Sequence, residues 1–380
     1  MTGKKPLEGI RVLDLTRIIS GPYCTRMLAD CGAEVIKVEP VGGEHMRFKE
    51  PMRDGVSTYF GHLNAGKKCI EVDFHSAEGL ATIRRIATQC DVMVENFKPG
   101  VTGDIGIDYA AISKIKPDII YCSISGFGQQ GPRSSQPAYA PILHALSGHE
   151  LAMMDYQADL DRPARGGIWY ADLIGGVYAF SAIQTALIGK LRHGIGQFID
   201  VALMDTMINL LVLEIQEAQT PSAHKRWLAT PVRALDGYVM PVPITKRNFD
   251  RLCEVVDRPE WHDDPRFNNQ SAREKNWSLF MDKIENWTVT RTAVECEETF
   301  MAAGVPCSRY QTVAQALDDE QLAARGSWTE IAGKGGGYKV PNVPYVFSNA
   351  DARVNASVAP VGAHTDEILA LIASNLDQTG

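Results

Sequence analysis

The chain has 380 residues, a formal net charge of −8, and 45% hydrophobic against 22% charged residues. That balance excludes a chain disordered throughout, and the 33 glycines, which show no period of three, exclude a collagen-like one. The acidic excess excludes a general nucleic-acid binder, which needs a basic face against phosphates. Eight cysteines without a Cys-x-x-Cys pair are too few for a disulfide scaffold and wrongly spaced for structural zinc. No apolar leader follows Met1-Thr-Gly-Lys-Lys5. The expectation is therefore a reduced, cytoplasmic protein with no metal, no nucleic-acid partner and no membrane partner.

In chain order, Arg11–Leu15 predicts a strand and Pro22–Gly32 a short helix, with proline in its first turn and glycine at its end. Glu34–Glu39 and Lys68–Phe74 predict two more strands. Ser76 caps a helix reaching about Gln89. Asp91–Glu95 is a fourth strand, Tyr109–Lys116 a helix and Ile119–Ile124 a fifth strand. Strand–helix alternation of this kind predicts a doubly wound α/β sheet, whose ligands bind beyond the carboxyl ends of its strands.

Between Gly166 and Gly189 the only formal charge is Asp172. The run is long enough to span a bilayer, but its glycines, Ser181 and Gln184 favour a buried core helix. After about residue 220 the style changes, and five of the six tryptophans (227, 261, 277, 287 and 328) fall there. Phe249–Val256, Ser271–Trp287 and Thr290–Ala303 predict helices of a smaller α+β domain. The boundaries read from the sequence are 1–220 with 330–380 for a large domain and 221–329 for a small one. Thr365 caps an amphipathic helix through Ile372, and Gly333–Gly337 reads as a hairpin loop.

Gly126-Phe-Gly-Gln-Gln-Gly131 has the glycine spacing of a dinucleotide loop, but Pro132–Pro137 follows where a helix is required. No P-loop, Gly-x-Ser-x-Gly or His-Glu-x-x-His motif is present. Asp172 has two readings of equal weight. It is an N-cap for a helix Leu173–Leu191, or a carboxylate kept reactive in a dry pocket at a helix terminus. Asn96-Phe97-Lys98-Pro99-Gly100 after the fourth strand is either a common turn or a nucleotide site, with stacking on Phe97 and phosphate at Lys98.

Several stretches together resemble the class III (CaiB/BaiF-like) CoA-transferase family, which also holds the α-methylacyl-CoA racemases. They are Pro6–Thr16 with Gly21-Pro22, Gly32–Pro40, Asn64–Lys68, Val94–Gly100, Ala171-Asp172 through Gly194–Ala202, and Gly362–Glu367. The resemblance implies a Rossmann-like large domain built from both termini, a small domain between, and an interlocked homodimer. It implies no permanently bound cofactor, with coenzyme A or acyl-CoA and a small carboxylic acid as substrates. Asp172 stands where the family's nucleophile stands, giving an aspartyl mixed anhydride and then an aspartyl-CoA thioester. CoA contacts carry over to Ile19, Ser20, Val72, Asp73, Asn96, Phe97 and Lys98.

Two positions depart from the family pattern. Pro40 and Asp104 replace residues that are often basic, leaving Lys67, Lys98 or Arg47 to meet the phosphates. The alternative activity is a 2-methylacyl-CoA racemase or another acyl-CoA isomerase. The racemase histidine aligns with Tyr139, whose ordinary pKa of about 10 does not suit a proton shuttle; His144 and His149 are off register. Arg133, Arg165, Lys225, Arg226 and Arg233 are candidate partners for a second carboxylate, which suggests a dicarboxylate as donor or acceptor.

Overall fold

A computed structural model describes residues 4–157, 159–221, 228–333 and 336–376. Lys225 and Arg226, two of the candidate carboxylate partners, and Lys334 and Gly335 of the glycine run lie outside the described residues.

The chain is mixed α/β and divides into two compact units, Met1–Glu214 with Glu320–Gly380, and Ile215–Asp319. The first is built on six parallel strands: β1 (Arg11–Asp14), β2 (Glu34–Glu39), β3 (Lys68–Glu71), β4 (Val92–Glu95), β5 (Ile120–Ser125) and β6 (Gln197–Ala202). Their order across the sheet is β3-β2-β1-β4-β5-β6. The direction of winding reverses between β1 and β4, and a crevice opens there beyond the strand ends.

Period-two alternation supplies both faces of this sheet. Val12, Val35, Val92, Val94, Ile120 and Cys122 enter one core cluster. Leu13, Ile36, Met93 and Tyr121, one residue out of phase, enter the other. β6 is the strand the sequence reading lacks. Only Val201 of its residues is buried, and no long apolar run marks it.

The helices of this unit include α1 (Ser20–Asp30), α2 (Thr58–Asn64), α3 (Ala77–Thr88), α4 (Tyr109–Ile115), α5 (Ala140–Leu146), α6 (His149–Asp155), α7 (Tyr170–His193) and α8 (Leu203–Leu210). Ser76 caps α3 as expected, its hydroxyl accepting from Gly79 N–H at 2.9 Å. α1 starts two residues earlier than expected, at Ser20, so Pro22 lies inside its first turn, where no helical hydrogen bond is lost. The glycines at 126, 128 and 131 open no helix; the chain turns until α5 begins at Ala140.

α7 is long and apolar enough to cross a membrane by length and composition alone. Only one face is buried: Ala171, Ala179, Ile183, Ala186 and Leu187 pack into the core cluster, and Gly175 and Gly176 are buried beside them. Gly175 and Gly176 allow that approach. A Cβ at Gly175 would overlap the Leu203 side chain, and one at Gly176 would press on the Ser20 carbonyl of α1. The opposite face leaves Val177, Tyr178, Ile188 and Leu191 exposed. The expectation of a buried helix therefore holds for one side.

The C-terminal helix, Thr365–Leu376, returns to the edge of the sheet at β3. Cys69 N–H donates to His364 Nδ1 and Glu71 N–H to the Thr365 hydroxyl, both at 3.1 Å, which closes the edge. Thr365 thus bonds a strand rather than capping its own helix.

The second unit has its own antiparallel sheet, Cys307–Arg309, Tyr238–Pro241 and Val232–Arg233 in spatial order, and an aromatic core around Phe249, Trp261, Phe267 and Phe280. The helix expected over Ser271–Trp287 is two helices, Gln270–Lys275 and Trp277–Thr288. Asn276 breaks it, its amide donating to Ala272 O and Arg266 O. Thr292 and Glu295 form a reciprocal capping box on Ala293–Ala302.

Candidate active site

At the winding reversal lies a cleft of about 530 Å³. Its lining comes from the loop after β1 (Arg17, Ile18, Ile19, Ser20), the loop after β4 (Asn96, Phe97, Lys98, Pro99), the end of β5, the stretch 134–141, and Trp169, Asp172 and Leu203. Six of the eight residues singled out from the sequence meet here: Asp172, Ile19, Ser20, Asn96, Phe97 and Lys98. Val72 and Asp73 do not line this cleft. β3 ends at Glu71, and Val72 is buried in the other core cluster. Asp73 turns the chain into α3, accepting from Ser76 N–H and His75 N–H. Their neighbour Phe74 reaches the site indirectly, packing edge-on against Phe97 with ring centroids 6.3 Å apart.

The loop after β1 is fixed by buried charge. Asp14 accepts from Thr16 N–H and Lys67 Nζ at 2.8 and 2.9 Å and also holds the Thr16 and Thr25 hydroxyls. Lys37 Nζ donates to Thr16 O at 2.8 Å and lies 3.1 Å from Glu44. Glu44 accepts Ile18 N–H at 3.3 Å. Asp14, Lys37 and Lys67 side chains are fully buried. Burial alone would push the Asp14 carboxyl up, but Lys67, Lys37 and the two hydroxyls outweigh it and hold the group below its ordinary value. Burial brings Lys67 down to about 8 despite Asp14.

The result is an unusual backbone. Ile18, a β-branched residue, sits at φ +70°. Such a conformation persists only where surrounding bonds over-determine it. Asn96 completes the clamp. Its Oδ1 accepts Arg17 N–H at 2.9 Å, and its Nδ2 donates to Arg17 O at 2.8 Å and to the Ser20 hydroxyl at 3.4 Å. The Arg17 guanidinium lies over the Phe97 ring, 5.3 Å from its centroid.

These bonds settle two of the candidate phosphate partners. Lys67 is spent on Asp14, Pro22 O and Asn64. Arg47 is spent on Glu39 and Ala359 O and covers the Phe60 ring at 3.9 Å. Lys98 is the exposed cation of the three.

Asp172 is built differently. α7 begins at Tyr170 with Trp169 as its cap residue, so Asp172 lies in the first turn and is not the N-cap. The cap reading is corrected because the helix starts two residues before the aspartate. Among the described residues no hydrogen bond reaches the Asp172 carboxylate. Burial alone pushes its carboxyl up to about 6. Tyr59 of α2 lies within electrostatic reach: burial first, and then the Asp172 charge, raise its hydroxyl above the ordinary value. The buried Ser125 hydroxyl at the end of β5 also lines the cleft and has no hydrogen-bond partner among the described residues. Tyr59 and Ser125 were missed from sequence because nothing local marks them; only the fold brings them to Asp172 or its cleft.

Tyr139 is 67% exposed on the rim, where it precedes α5. His144 is buried and accepts Ala171 N–H at 3.3 Å through Nε2. Arg133 and Arg165 are exposed; Arg233, in the second unit, pairs with Glu285.

The profile of CoA-transferase family III matches residues 7–365. The chain belongs to that family. It is 32% identical to the succinate–glutarate CoA-transferase of Agrobacterium fabrum, over 97% of this chain and 96% of that one. It is 33% identical to the acetyl-CoA:oxalate CoA-transferase of Acetobacter aceti, over 92% and 90% respectively. The crystal structure of a CaiB/BaiF family protein from Brucella suis superposes with a TM-score of 0.86 at 32% identity, covering 97% of this chain and all of that one. The protein is an enzyme of the CoA-transferase type, acting on CoA thioesters.

Proposed function

We propose that this CoA-transferase moves CoA between an acyl-CoA and a free carboxylate through covalent catalysis at Asp172. The observation that carries the reading is a carboxylate at the switch-point cleft with a raised pKa and no hydrogen-bond partner among the described residues. At neutral pH it is ionised, and burial has removed much of the water that would blunt its lone pairs.

In the first half-reaction an Asp172 oxygen attacks the thioester carbonyl, the C–S bond breaks, and CoA leaves as thiolate. The thiolate attacks the aspartyl carbonyl of the mixed anhydride, and the donor carboxylate departs. Asp172 is left as a CoA thioester. An incoming carboxylate then attacks that thioester, and the released thiolate attacks the new acyl group and restores Asp172. No net proton is consumed. The bond energy survives only if water stays out, which suits the apolar Trp169 and Leu203 that line the cleft beside Asp172.

Ile19, Ser20 and Phe97 form the floor on which the pantetheine arm would lie, and Lys98 is the cation for phosphate. Asn96 acts through the loop it clamps. Val72 and Asp73 act, in this reading, through Phe74 and Phe97. The large unit is the CoA-binding domain and Ile215–Asp319 the small one. The exposed apolar side of α7 supports a homodimer contact, and eight buried unpaired cysteines support a reducing, cytoplasmic location. A dicarboxylate as donor or acceptor is supported by relatives named for succinate, glutarate and oxalate. Racemisation is the weaker reading, because His144 is committed to a backbone amide and Tyr139 stands where the second base would be.

The test is intact mass after mixing with a panel of acyl-CoAs, with and without hydroxylamine. A CoA-sized, hydroxylamine-labile adduct at Asp172 is the expected result, and the acyl-CoA that loads it names the donor. Exchange of the α-proton without any adduct overturns the proposal.

A further inference from the structure

The first turn of α7 needs partners for its free amides, because no residue earlier in the helix can supply them. Trp169, the cap residue, offers no side-chain acceptor. Tyr170 N–H donates to Ile168 O and Leu173 N–H to Trp169 O. The Ala171 amide instead takes a side chain from another helix, His144 of α5, at 3.3 Å. His144 is only 2% exposed.

An acidic side chain in a first turn ordinarily folds back on such amides, which lowers its pKa and ties up its lone pairs. Asp172 is one residue from Ala171, yet no donor among the described residues reaches it. We infer that His144 is a positioning residue for Asp172: by occupying the Ala171 amide it denies the adjacent carboxylate the donor the helix terminus would offer, and so keeps that carboxylate unbonded toward the cleft. The inference rests on the reading of Asp172 as nucleophile and gives that nucleophile its cause.

The bond requires a neutral imidazole whose Nε2 carries the lone pair, so the ring proton sits on Nδ1. Nδ1 faces Glu150 Oε1 at 3.7 Å, which suits that tautomer. The groups around the ring are Glu150 and His149 of α6 and Tyr170 of α7; the His149 and Tyr170 rings stand 6.0 and 5.8 Å away. Burial, helped by His149 and opposed by Glu150, keeps the imidazole below its ordinary pKa. The acceptor is therefore present at neutral pH and lost in acid. Its loss hands the Ala171 amide to a carboxylate that is itself being protonated.

The experiment compares His144→Leu, which has no acceptor, with His144→Gln, whose amide oxygen can take the same bond. Two readouts are used: the pH dependence of CoA loading by intact mass, and the ionisation of Asp172 followed by carbon-detected carboxyl titration in the absence of substrate. In His144→Leu the Asp172 titration moves down by about one pH unit as the freed amide turns to the carboxylate. Loading above the acid limb slows about tenfold. His144→Gln keeps both near wild type, a rescue that a merely space-filling role would not give. An unchanged Asp172 titration in His144→Leu, or the same shift in both variants, overturns the inference. Where His144→Leu does not fold, His144→Gln decides alone: retained rate and titration support the inference, and loss of either refutes it. Asp172→Asn is loaded in parallel. CoA loading by that variant removes the nucleophile reading, while the carboxyl titration still judges His144.

Discussion

The floor and the wall of the cleft use the same kinds of residue to opposite ends. On the floor, Asp14, Lys37, Glu44, Lys67 and Asn96 are bonded to one another or to the loop they carry, and that loop holds Ile18 in a left-handed conformation. On the wall, Asp172 is half-buried and meets no donor among the described residues. A paired buried charge fixes backbone; an unpaired one is kept reactive at a cost in stability. The difference separates positioning from chemistry within one site, and each side can be attacked separately.

The largest effect is expected on the wall. Asp172→Asn lowers turnover by about 10⁴-fold or more, since a nucleophile carries the whole covalent route. The same variant is more stable than wild type above pH 6. A carboxyl whose pKa is about 6 when folded, against 3.8 unfolded, binds its proton more tightly in the native state. Native stability therefore falls as pH rises through that window. The gain in melting temperature shrinks as pH drops toward 4. An Asp172→Asn protein less stable than wild type at pH 7.5 would mean that the carboxylate is paired after all. In the wild type, loading declines as pH falls through about 6, where the nucleophile protonates.

The floor responds in the other sense. Asp14→Ala leaves the buried Lys67 without its anion, while Lys37 keeps Glu44, and removing one partner of a buried pair costs about 3–5 kcal/mol. Thermal melts at pH 7 measure it. Because Asp14 is held below its ordinary value, its contribution is full above the unfolded carboxylate range. It is lost only as pH falls through the lower, folded value. A melting temperature within a degree of wild type would show that the network is ornamental and that Ile18 is held by something else.

The two regions were unequally legible in the sequence. Asp172 stood out because a lone charge in an apolar run is visible without any structure. β1, β4 and β5 were legible for a related reason: both faces are buried, so apolar residues run nearly unbroken. The floor was not legible. Glu34-Val-Ile-Lys-Val-Glu39 alternates like a half-exposed strand, yet Lys37 and Glu39 are fully buried. Their partners Glu44, Thr16 and Arg47 come from loops and a short helix that periodicity cannot place. The places of His144 and Tyr59 were hidden for the same reason: each meets the Asp172 region from a segment far away in the chain. Lys67 and Arg47 illustrate the converse error, since a basic residue in or near a family motif looks like a phosphate partner until its own ion pair is seen.

A smaller effect is expected where the floor meets the ligand. Asn96→Ala releases Arg17 and Ser20 together while leaving the ion pairs below intact. Losing a part-buried amide with three contacts costs about 1–2 kcal/mol. The KM for acyl-CoA should rise about tenfold with little change in kcat, because the loop binds and does not react. Asn96→Asp keeps an acceptor for Arg17 N–H but loses both donations, and falls between. A change confined to kcat would place Asn96 beside the reacting atoms instead of beneath the bound arm.

Lys98→Ala tests the outermost part of the floor and should do least. The side chain is exposed at the cleft mouth, so its attraction for a phosphate is weakened by water and by salt. The expected change is a rise of about threefold in the KM for acyl-CoA at low ionic strength, an exposed ion pair being worth under about 1 kcal/mol. It should fade near 0.5 M salt, with kcat and melting temperature unaffected. A salt-independent effect would mean that Lys98 is desolvated when CoA binds and that the loop closes over the phosphate. No effect at any salt would pass the phosphate to Arg17, the other exposed cation on the cleft lining, where Arg17→Ala must then show the salt-dependent rise.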